Sequence, residues 1–186
     1  MENNKYKIND LIKKRWSPRS FSEKSIENNI LLSIFEAARW APSSMNEQPW
    51  IYYYAKKSEA GFEKILNCLV PANIIWAKNA DVLIISTANK KYKRGNSPNR
   101  HYMYDTGSAN QNLLLQALEY DIFGHPMGGF DIEKTKNLLS LTEEIEPVCI
   151  IALGYLDKPE KLEEPHRQRE TAERKRKPLE EIINKV

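Results

Sequence analysis

Two apolar runs constrain the fold of this chain more than any other feature. Residues 82–87 (VLIIST) and 147–155 (PVCIIALGY) contain no charged side chain. Side chains of a strand alternate between the two faces of its sheet, so an apolar residue at nearly every position indicates a strand that is covered on both faces. The sequence therefore predicts two central strands buried between other elements.

Helical spacing of apolar residues predicts the elements around these strands. A short first helix over residues 11–15, capped by Asn9 or Asp10, is interrupted by Pro18, and a longer helix runs from Ser22 or Ser25 to Trp40. Three more helices are predicted over residues 60–69, 104–120 and 132–141. Further strands are predicted over residues 50–55 and from Ile122 onward, and loops over residues 70–73 and 90–100, the latter exposed and mobile.

The predicted helix over residues 104–120 carries leucines on several faces, at positions 113, 114, 115 and 118. In a chain of 186 residues, a helix that is apolar nearly all round favours a second protomer that covers one of its faces. The charged tail ends in an apolar segment, residues 178–183, which is predicted to dock on another surface. No internal repeat or domain boundary is found, so residues 1–186 are predicted to form a single domain.

Charge and apolar content exclude some function classes. The net charge of +3 is too small to indicate nucleic acid, and the basic cluster at residues 174–177 is preceded by Glu170 and Glu173. No apolar run approaches the roughly 20 residues of a membrane helix, and residues 1–6 lack the apolar core of a signal peptide. A cytoplasmic protein with neither a membrane nor a nucleic-acid partner is expected.

Cysteine usage favours a reduced chain without a metal site. Cys68 and Cys149 are isolated thiols in apolar surroundings, and neither belongs to a CxxC pair. We therefore expect two buried cysteines rather than a disulfide or metal ligands.

The ligand-binding candidate is the stretch APSSMNEQPW, residues 41–50. Pro42 ends the preceding helix, and a strand begins at Trp50. Between them lie hydroxyl and amide side chains in a short loop held at both ends, the kind of loop that often grips a ligand.

Other chemical motifs are not found. The sequence has no phosphate-binding glycine loop of the Walker type and no GxGxxG after a strand, and Ser43-Ser44 lacks the flanking glycines of an esterase elbow. His125 and His166 have no nucleophile nearby in the sequence, and His125, which precedes a proline, is interpreted as a positional turn residue.

Taken in order, the motifs resemble those of the FMN-dependent nitroreductase family over nearly the whole chain. The shared pattern is R-x-S-x-R-S-F at residues 15–21, A-P-S-S-x-N-x-Q-P-W at 41–50, D-x-G-x-A-x-Q-N-L at 105–113, P-x-G-G-F at 126–130 and R-x-R-x-P-L at 174–179. The stretch at 41–50 is the most specific of these, and the terminal arginines are the least specific.

The resemblance implies an α+β fold with a central, mostly antiparallel sheet flanked by helices, assembled as an intertwined homodimer. It also implies one FMN per protomer at the dimer interface, NADH or NADPH as electron donor, and a nitroaromatic, quinone or similar small molecule as acceptor. The flavin N5 performs the chemistry, so no protein side chain is predicted to be catalytic.

The cofactor-binding residues follow by position in the motifs. The phosphate end falls to Arg15, Ser17, Arg174 and Arg176, with Arg19 at the pyrimidine edge of the ring, and Trp16 of the same N-terminal motif is also expected to bind the cofactor. The opposite protomer is expected to supply Pro42, Ser43, Ser44, Asn46 and Gln48 along the dimethylbenzene side and ribityl chain. The backbone of Met127, Gly128 and Gly129 is expected beside N5.

The chain departs from the family pattern at Gly128, where many relatives carry a glutamate, so a flavin- or small-ligand-binding module without turnover remains an alternative. The flavin-contacting asparagine is either Asn67 or Asn73. The physiological acceptor, the choice of NADH or NADPH, and one- or two-electron transfer are not determined by the sequence.

Overall fold

A four-stranded antiparallel sheet lies at the centre of the computed structural model, which describes residues 6–186. The strands are β1 (Trp50–Lys56), β2 (Val82–Asn89), β3 (Ile122–Met127) and β4 (Ile145–Tyr155), in the order β1-β2-β4-β3. Each strand pairs antiparallel with its neighbours. The two apolar runs are therefore the central strands, and the expected antiparallel sheet is confirmed. The prediction that there is no signal peptide was based on residues 1–6, and of these, residues 1–5 lie outside the described residues.

Helices and short turns surround the sheet. The helices are α1 (Asp10–Lys14), α2 (Asn28–Arg39), α3 (Ala60–Leu66), α4 (Pro71–Ala77), α5 (Tyr102–Leu118), α6 (Ile132–Leu139) and α7 (His166–Thr171). Short 3₁₀ turns cover Ser44–Asn46, Pro159–Lys161 and Leu179–Glu181. Asn9 caps α1, because its side-chain oxygen accepts a hydrogen bond from the backbone N–H of Leu11.

Three sequence predictions differ from the structure. Residues 70–73, predicted as a loop, begin α4, where Pro71 occupies the first turn and needs no N–H partner. The second helix begins at Asn28 rather than at Ser22 or Ser25, because the carboxylate of Asp81 holds the N–H of Ile26 at 2.7 Å before the helix starts. The charged tail contains α7, which the sequence analysis did not predict.

Each face of the sheet has its own core. In β2, Leu83 and Ile85 face a core that includes Phe62 and Trp76 from α3 and α4. Their neighbours Val82 and Ile84 face the opposite core, which α2 and α5 cover. Every residue from Val82 to Ala88 is buried, as expected of a strand covered on both faces.

Helix α5 is buried along only one side of this chain. Ala109, Leu113 and Ala117 are fully buried against the sheet and α2. On the other side, Met103 and Tyr104 are 48% and 77% exposed, and Gly107 and Gln111 are exposed as well. A single chain therefore covers one side of α5 and leaves the other exposed, and the second protomer expected to cover that side stays a prediction.

Both cysteines are free and buried. Burial raises the pKa of the Cys149 thiol to about 12, so this thiol stays protonated at neutral pH. The residues 90–100 are irregular and mostly exposed, as predicted. Within residues 6–186, no helix has the length and apolar character that crossing a membrane requires.

Gly154 provides a test of the core packing in β4. A Cβ at this position would lie 2.9 Å from Cδ1 of the buried Phe21 ring, which is not a flexible chain end. We expect Gly154→Ala to lower the free energy of unfolding by about 1–3 kcal/mol, as overpacking does in other cores. Urea denaturation of the apoprotein measures this change.

The matched control is Gly128→Ala, because an added Cβ at Gly128 meets no heavy atom within 4 Å. We expect this variant to unfold within about 0.5 kcal/mol of the wild type. Equal destabilisation by the two variants would contradict the packing described for Gly154.

Candidate functional site

The N-terminal turn, residues 15–21, lies against the end of the sheet at β3 and β4. The N–H of Ser22 donates to the carbonyl of Tyr155 at 2.9 Å, and Phe21 forms an isolated bridge with Leu156. The carbonyl of Pro18 accepts a hydrogen bond from Nδ1 of His125 in β3 at 2.9 Å. These contacts fix the turn on the sheet, with Arg15, Trp16, Ser17 and Arg19 partly exposed along it.

Three guanidinium groups, from Arg15, Arg174 and Arg176, form what we call the cationic cluster. Nη1 of Arg174 donates to the carbonyls of Lys13 and Arg15 at 2.9 and 3.0 Å. The pKa of Arg15 is lowered by burial, and then by the positive charges of Arg176 and Arg174. Like charges are therefore gathered at one place, which favours a bound anion.

No carboxylate neutralises this cluster within residues 6–186. None of its three arginines has a carboxylate oxygen within the 4.0 Å of an ion pair. Ser17 adds a hydroxyl, with Oγ at 3.5 Å from Nη1 of Arg15. Guanidinium and hydroxyl donors without a competing acid are the groups that bind a phosphate.

Arg19 lies next to the cluster and is half-buried. Its guanidinium lies 5.9 Å from the ring centroid of Trp76. Burial lowers the pKa of Arg19, the charge of Glu170 opposes this shift, and Arg169 adds to it. The arginine remains a cation that is available to the electron-rich edge of a ligand.

Glu170 is a residue that the sequence analysis missed. Its carboxylate accepts hydrogen bonds from the backbone N–H groups of Arg19, at 2.8 Å, and Ser20, at 3.0 Å, and only 7% of the residue is exposed. Little in the sequence marks this residue. Glu170 is one acid within a basic tail, and the apolar pattern does not predict the helix α7 that contains it.

His125 is stacked rather than reactive. Its ring centroid lies 4.5 Å from that of Trp76, and its Nδ1 must carry the proton because the Pro18 carbonyl can only accept. Burial lowers the pKa of His125 to about 4, and the charge of Arg19 contributes to this shift. The imidazole is therefore neutral at pH 7 and holds the turn, which agrees with the positional role expected for it.

The two glycines after β3 differ in their surroundings. The carbonyl of Gly129 accepts from the N–H of Val70 and from Nδ2 of Asn73, both at 3.1 Å, and a Cβ on Gly129 would lie 2.9 Å from that Nδ2. Around Gly128 nothing lies within 4 Å of an added Cβ, and the residue is exposed. Next to the buried Met127, the backbone is thus open to a flat ligand on one side.

The loop of residues 42–48, which we call the serine loop, is held in place by polar contacts. Oγ of Ser43 accepts from the N–H of Gln48 at 3.0 Å. The N–H of Ser44 donates to the carboxylate of Asp105 in α5 at 3.1 Å, and its hydroxyl lies 3.0 Å from that of Tyr92. Asp105, which the sequence analysis named only as part of the motif at 105–113, and Tyr92, which it missed, are further positioning residues.

Backbone strain marks the same loop. Met45, Asn46 and Gln48 have φ angles of 53°, 55° and 52°, values that non-glycine residues seldom adopt. Nε2 of Gln48 donates to the carbonyl and the side-chain oxygen of Asn46. In the same loop, Met45 is 80% exposed and Pro42 is also exposed. Strained backbone held by its surroundings is characteristic of ligand-binding segments.

The two candidate halves lie at opposite edges of the sheet. The serine loop leads into β1, whereas the N-terminal turn and the glycines adjoin β3, and β2 and β4 lie between. At about 4.8 Å between neighbouring strands, the edges are roughly 14 Å apart. A single chain therefore does not bring all the predicted site residues together.

Comparison with known proteins accounts for this arrangement of motifs. The sequence model described as the Nitroreductase family matches residues 12–155, most of the chain. This chain belongs to the nitroreductase family. Its fold is the nitroreductase-like fold, in which a small antiparallel sheet is flanked by helices.

Among its relatives is an Archaeoglobus fulgidus protein with the provisional name NADH dehydrogenase/NAD(P)H nitroreductase, 28% identical over 149 residues, which are 78% of this chain and 83% of the relative. A Methanothermobacter thermautotrophicus protein of the same name is 27% identical over 81% of this chain and 78% of its own length.

Solved structures of the family agree with the fold. One, described as an oxidoreductase containing FMN, is 30% identical with a TM-score of 0.93, over 98% of this chain and 93% of that one. A Desulfovibrio desulfuricans protein solved in complex with FMN is 21% identical with a TM-score of 0.74, over 95% of each chain, and it shows the fold alone.

The lowered pKa of His125 predicts how this nitroreductase-family protein responds to acid. An unfolded histidine binds its proton near pH 6.5, but folded His125 does so only near pH 4. The stabilisation is complete above pH 6.5 and is lost as the pH falls toward 4. From pH 7.5 to 5, His125 is expected to lower the free energy of unfolding by roughly 2 kcal/mol.

The measurement is urea denaturation at both pH values for the wild type and for His125→Asn. Asparagine keeps a donor toward the Pro18 carbonyl but does not titrate. The variant should therefore lose roughly 2 kcal/mol less than the wild type over this range. The comparison also removes the contribution of His166, whose pKa is lowered by burial as well. Identical losses would contradict the neutral, buried state of His125.

Proposed function

We propose that this protein is an FMN-dependent oxidoreductase that takes electrons from NADH or NADPH and passes them to a nitroaromatic, a quinone or a similar small acceptor. The observation that carries the proposal is the cationic cluster without a carboxylate partner, at the same sheet edge as the open backbone at Gly128. Family membership and relatives named NAD(P)H nitroreductase support the same reaction class.

The donor set fits the phosphate end of FMN. A phosphate monoester carries close to two negative charges at pH 7, and bidentate guanidinium groups suit its oxygens. Arg15, Arg174 and Arg176 would supply the cations, Ser17 a hydroxyl, and Trp16 the neighbouring wall. The pKa of Arg15 is lowered by burial and then by the charges of Arg176 and Arg174, and bound phosphate would offset the part that comes from these charges.

The residues beside the cluster fit the ring. Arg19 would face the pyrimidine edge, and the backbone of Met127, Gly128 and Gly129 would lie beside N5. Asn73 rather than Asn67 is the asparagine that belongs to this site, because Nδ2 of Asn73 already bonds the Gly129 carbonyl. FMN bound here would supply the redox chemistry between the nicotinamide and the acceptor, and Arg19 would place a cation at the pyrimidine edge, where negative charge develops on reduction.

An intertwined homodimer would complete the site. Pro42, Ser43, Ser44, Asn46 and Gln48 lie at the far sheet edge, so a second copy would supply them. Two apolar surfaces support this assembly: the exposed side of α5, and the tail, where Leu179, Ile182 and Ile183 are 40%, 64% and 58% exposed. Residues 1–186 then act as one domain with flavin, nicotinamide and acceptor as small-molecule partners, in the cytoplasm and without nucleic acid or membrane.

An anaerobic flavin titration tests the function. The purified protein reconstituted with FMN should be yellow, with bound flavin at about one per protomer, and NADH or NADPH should bleach it in the absence of oxygen. An acceptor panel of nitroaromatics and quinones should then restore the colour. A protein that binds no FMN contradicts the proposal.

The same titration separates the second candidate function. Gly128 offers no side chain at the ring, which is the observation that favours a flavin-binding module without turnover. Bound FMN that neither nicotinamide bleaches would establish that module instead of the enzyme.

Removal of one charge from the cationic cluster should weaken FMN selectively. Riboflavin lacks the phosphate, so Arg176→Gln is expected to raise the Kd of FMN about 10- to 100-fold, the range for a lost charge-assisted hydrogen bond, and to change the Kd of riboflavin less than about threefold. Quenching of flavin fluorescence by the apoprotein measures both constants.

The control is Arg94→Gln, which removes an exposed cation in the irregular segment 90–100, outside the cluster. We expect this variant to bind FMN like the wild type. Equal losses of FMN and riboflavin affinity in Arg176→Gln would show that Arg176 does not contact the phosphate.

A further inference from the structure

The C-terminal arm, residues 166–177, carries two of the three cations of the cluster. It begins with α7, after which residues 172–177 are exposed and without regular structure. Placing Arg174 and Arg176 near Arg15 is opposed by charge repulsion, since the pKa of Arg15 is lowered first by burial and then by the charges of these two arginines. Other contacts must therefore hold the arm against the N-terminal turn before an anion binds.

Two contacts join the arm to the turn. One is the pair of hydrogen bonds from Nη1 of Arg174 to the carbonyls of Lys13 and Arg15, both at an exposed position. The other is the buried carboxylate of Glu170, which accepts from the N–H groups of Arg19 and Ser20. Hydrogen bonds that backbone N–H groups donate to a shielded carboxylate are stronger than hydrogen bonds at an exposed position.

Glu170 makes no close ion pair in the described part of the chain, although its charge acts on Arg19 and opposes the lowering of that residue's pKa. Within residues 6–186, the hydrogen bonds of its carboxylate come from the backbone N–H groups of Arg19 and Ser20. These N–H groups belong to the turn that aims Arg19, and Arg174 follows Glu170 by only four residues. The carboxylate of Glu170 thus joins the turn that carries Arg19, at the ring end of the candidate site, to the arm that carries Arg174, at its phosphate end.

We propose that Glu170 is a positioning residue, a latch that docks the C-terminal arm on the N-terminal turn and so places Arg174 and Arg176 beside Arg15. Docking of the arm and binding of a phosphate dianion are then coupled, because each favours the same arrangement of cations. The inference rests on the proposed function for the identity of that anion as the phosphate of FMN.

The latch predicts a selective effect on ligand binding. When the arm is undocked, the phosphate loses two cations, whereas a ligand without phosphate loses only the support of Arg19. The ratio of riboflavin Kd to FMN Kd should therefore fall. A general loss of stability would weaken both flavins alike and leave this ratio unchanged.

The experiment compares Glu170→Ala and Glu170→Gln with the wild type and with Glu173→Gln. Glutamine keeps one acceptor oxygen and nearly the same size, and it serves if the alanine variant does not fold. Glu173 is an exposed acid on the same arm with no hydrogen bond to the turn, so its variant removes the same charge without the latch. Hydrogen exchange of the apoprotein reports on the amides of Arg19 and Ser20, and fluorescence quenching gives both flavin Kd values.

In Glu170→Ala, the amides of Arg19 and Ser20 and those of α7 should exchange at least about tenfold faster than in the wild type, and the riboflavin-to-FMN ratio of Kd values should fall about tenfold or more. Glu170→Gln should lie between, and Glu173→Gln should match the wild type in exchange. Unchanged exchange or an unchanged ratio in the Glu170 variants overturns the proposal.

Failure of the proposed function gives a different result. If the wild type binds neither flavin, the proposed function is wrong, and the exchange comparison alone decides the latch, because it uses no ligand. If the wild type prefers FMN and the Glu170 variants keep that preference, the latch is wrong while the proposed function stands.

Discussion

The repulsion among three guanidinium groups is the constraint on which the rest of the site depends. Arg15, Arg174 and Arg176 come from opposite ends of the chain, and no carboxylate within residues 6–186 pairs with them. Bringing uncompensated like charges together raises the free energy of the unliganded protein. A bound dianion reduces this repulsion and is attracted by all three cations, which favours its binding. Buried contacts behind the cluster, from Glu170 and His125, hold the backbone that carries it.

The sheet topology decides what one chain can and cannot supply. Strand order β1-β2-β4-β3 puts the serine loop at one edge and the cationic cluster with the two glycines at the other. Hydrogen bonds hold both halves, the serine loop through Asp105 and Tyr92 and Gly129 through Val70 and Asn73. Two well-ordered half-sites on opposite edges are what a twofold assembly with shared sites requires.

The central strands and the positions of the motifs could be predicted from the sequence, because apolar runs and helix-breaking prolines act locally. Residues 82–87 and 147–155 lie in the two central strands, and the helix before Pro42 ends at Arg39. The start of α2 could not be predicted, since it depends on a long-range hydrogen bond that the N–H of Ile26 donates to the carboxylate of Asp81. The prediction of a loop at residues 70–73 was wrong. Proline breaks a helix from within but is favoured in its first turn, and Pro71 begins α4.

The sequence names the candidate site residues but not the contacts that hold them in place. Motif resemblance named Arg15, Arg19 and Gly129 by position, and it left Asn67 and Asn73 open. Only the hydrogen bond from Asn73 to Gly129 favours one of them. Glu170 and Trp76 act through contacts between segments far apart in sequence, and no local pattern marks such contacts.

The most direct test of the central claim is a ³¹P NMR titration of FMN bound to the protein. Free phosphate monoesters take up a proton near pH 6. Surrounded by three guanidinium groups, the bound phosphate should stay a dianion, so its ³¹P shift should remain constant from pH 7.5 to well below 6. A bound phosphate that titrates near pH 6, as free FMN does, would show that the cationic cluster does not hold it.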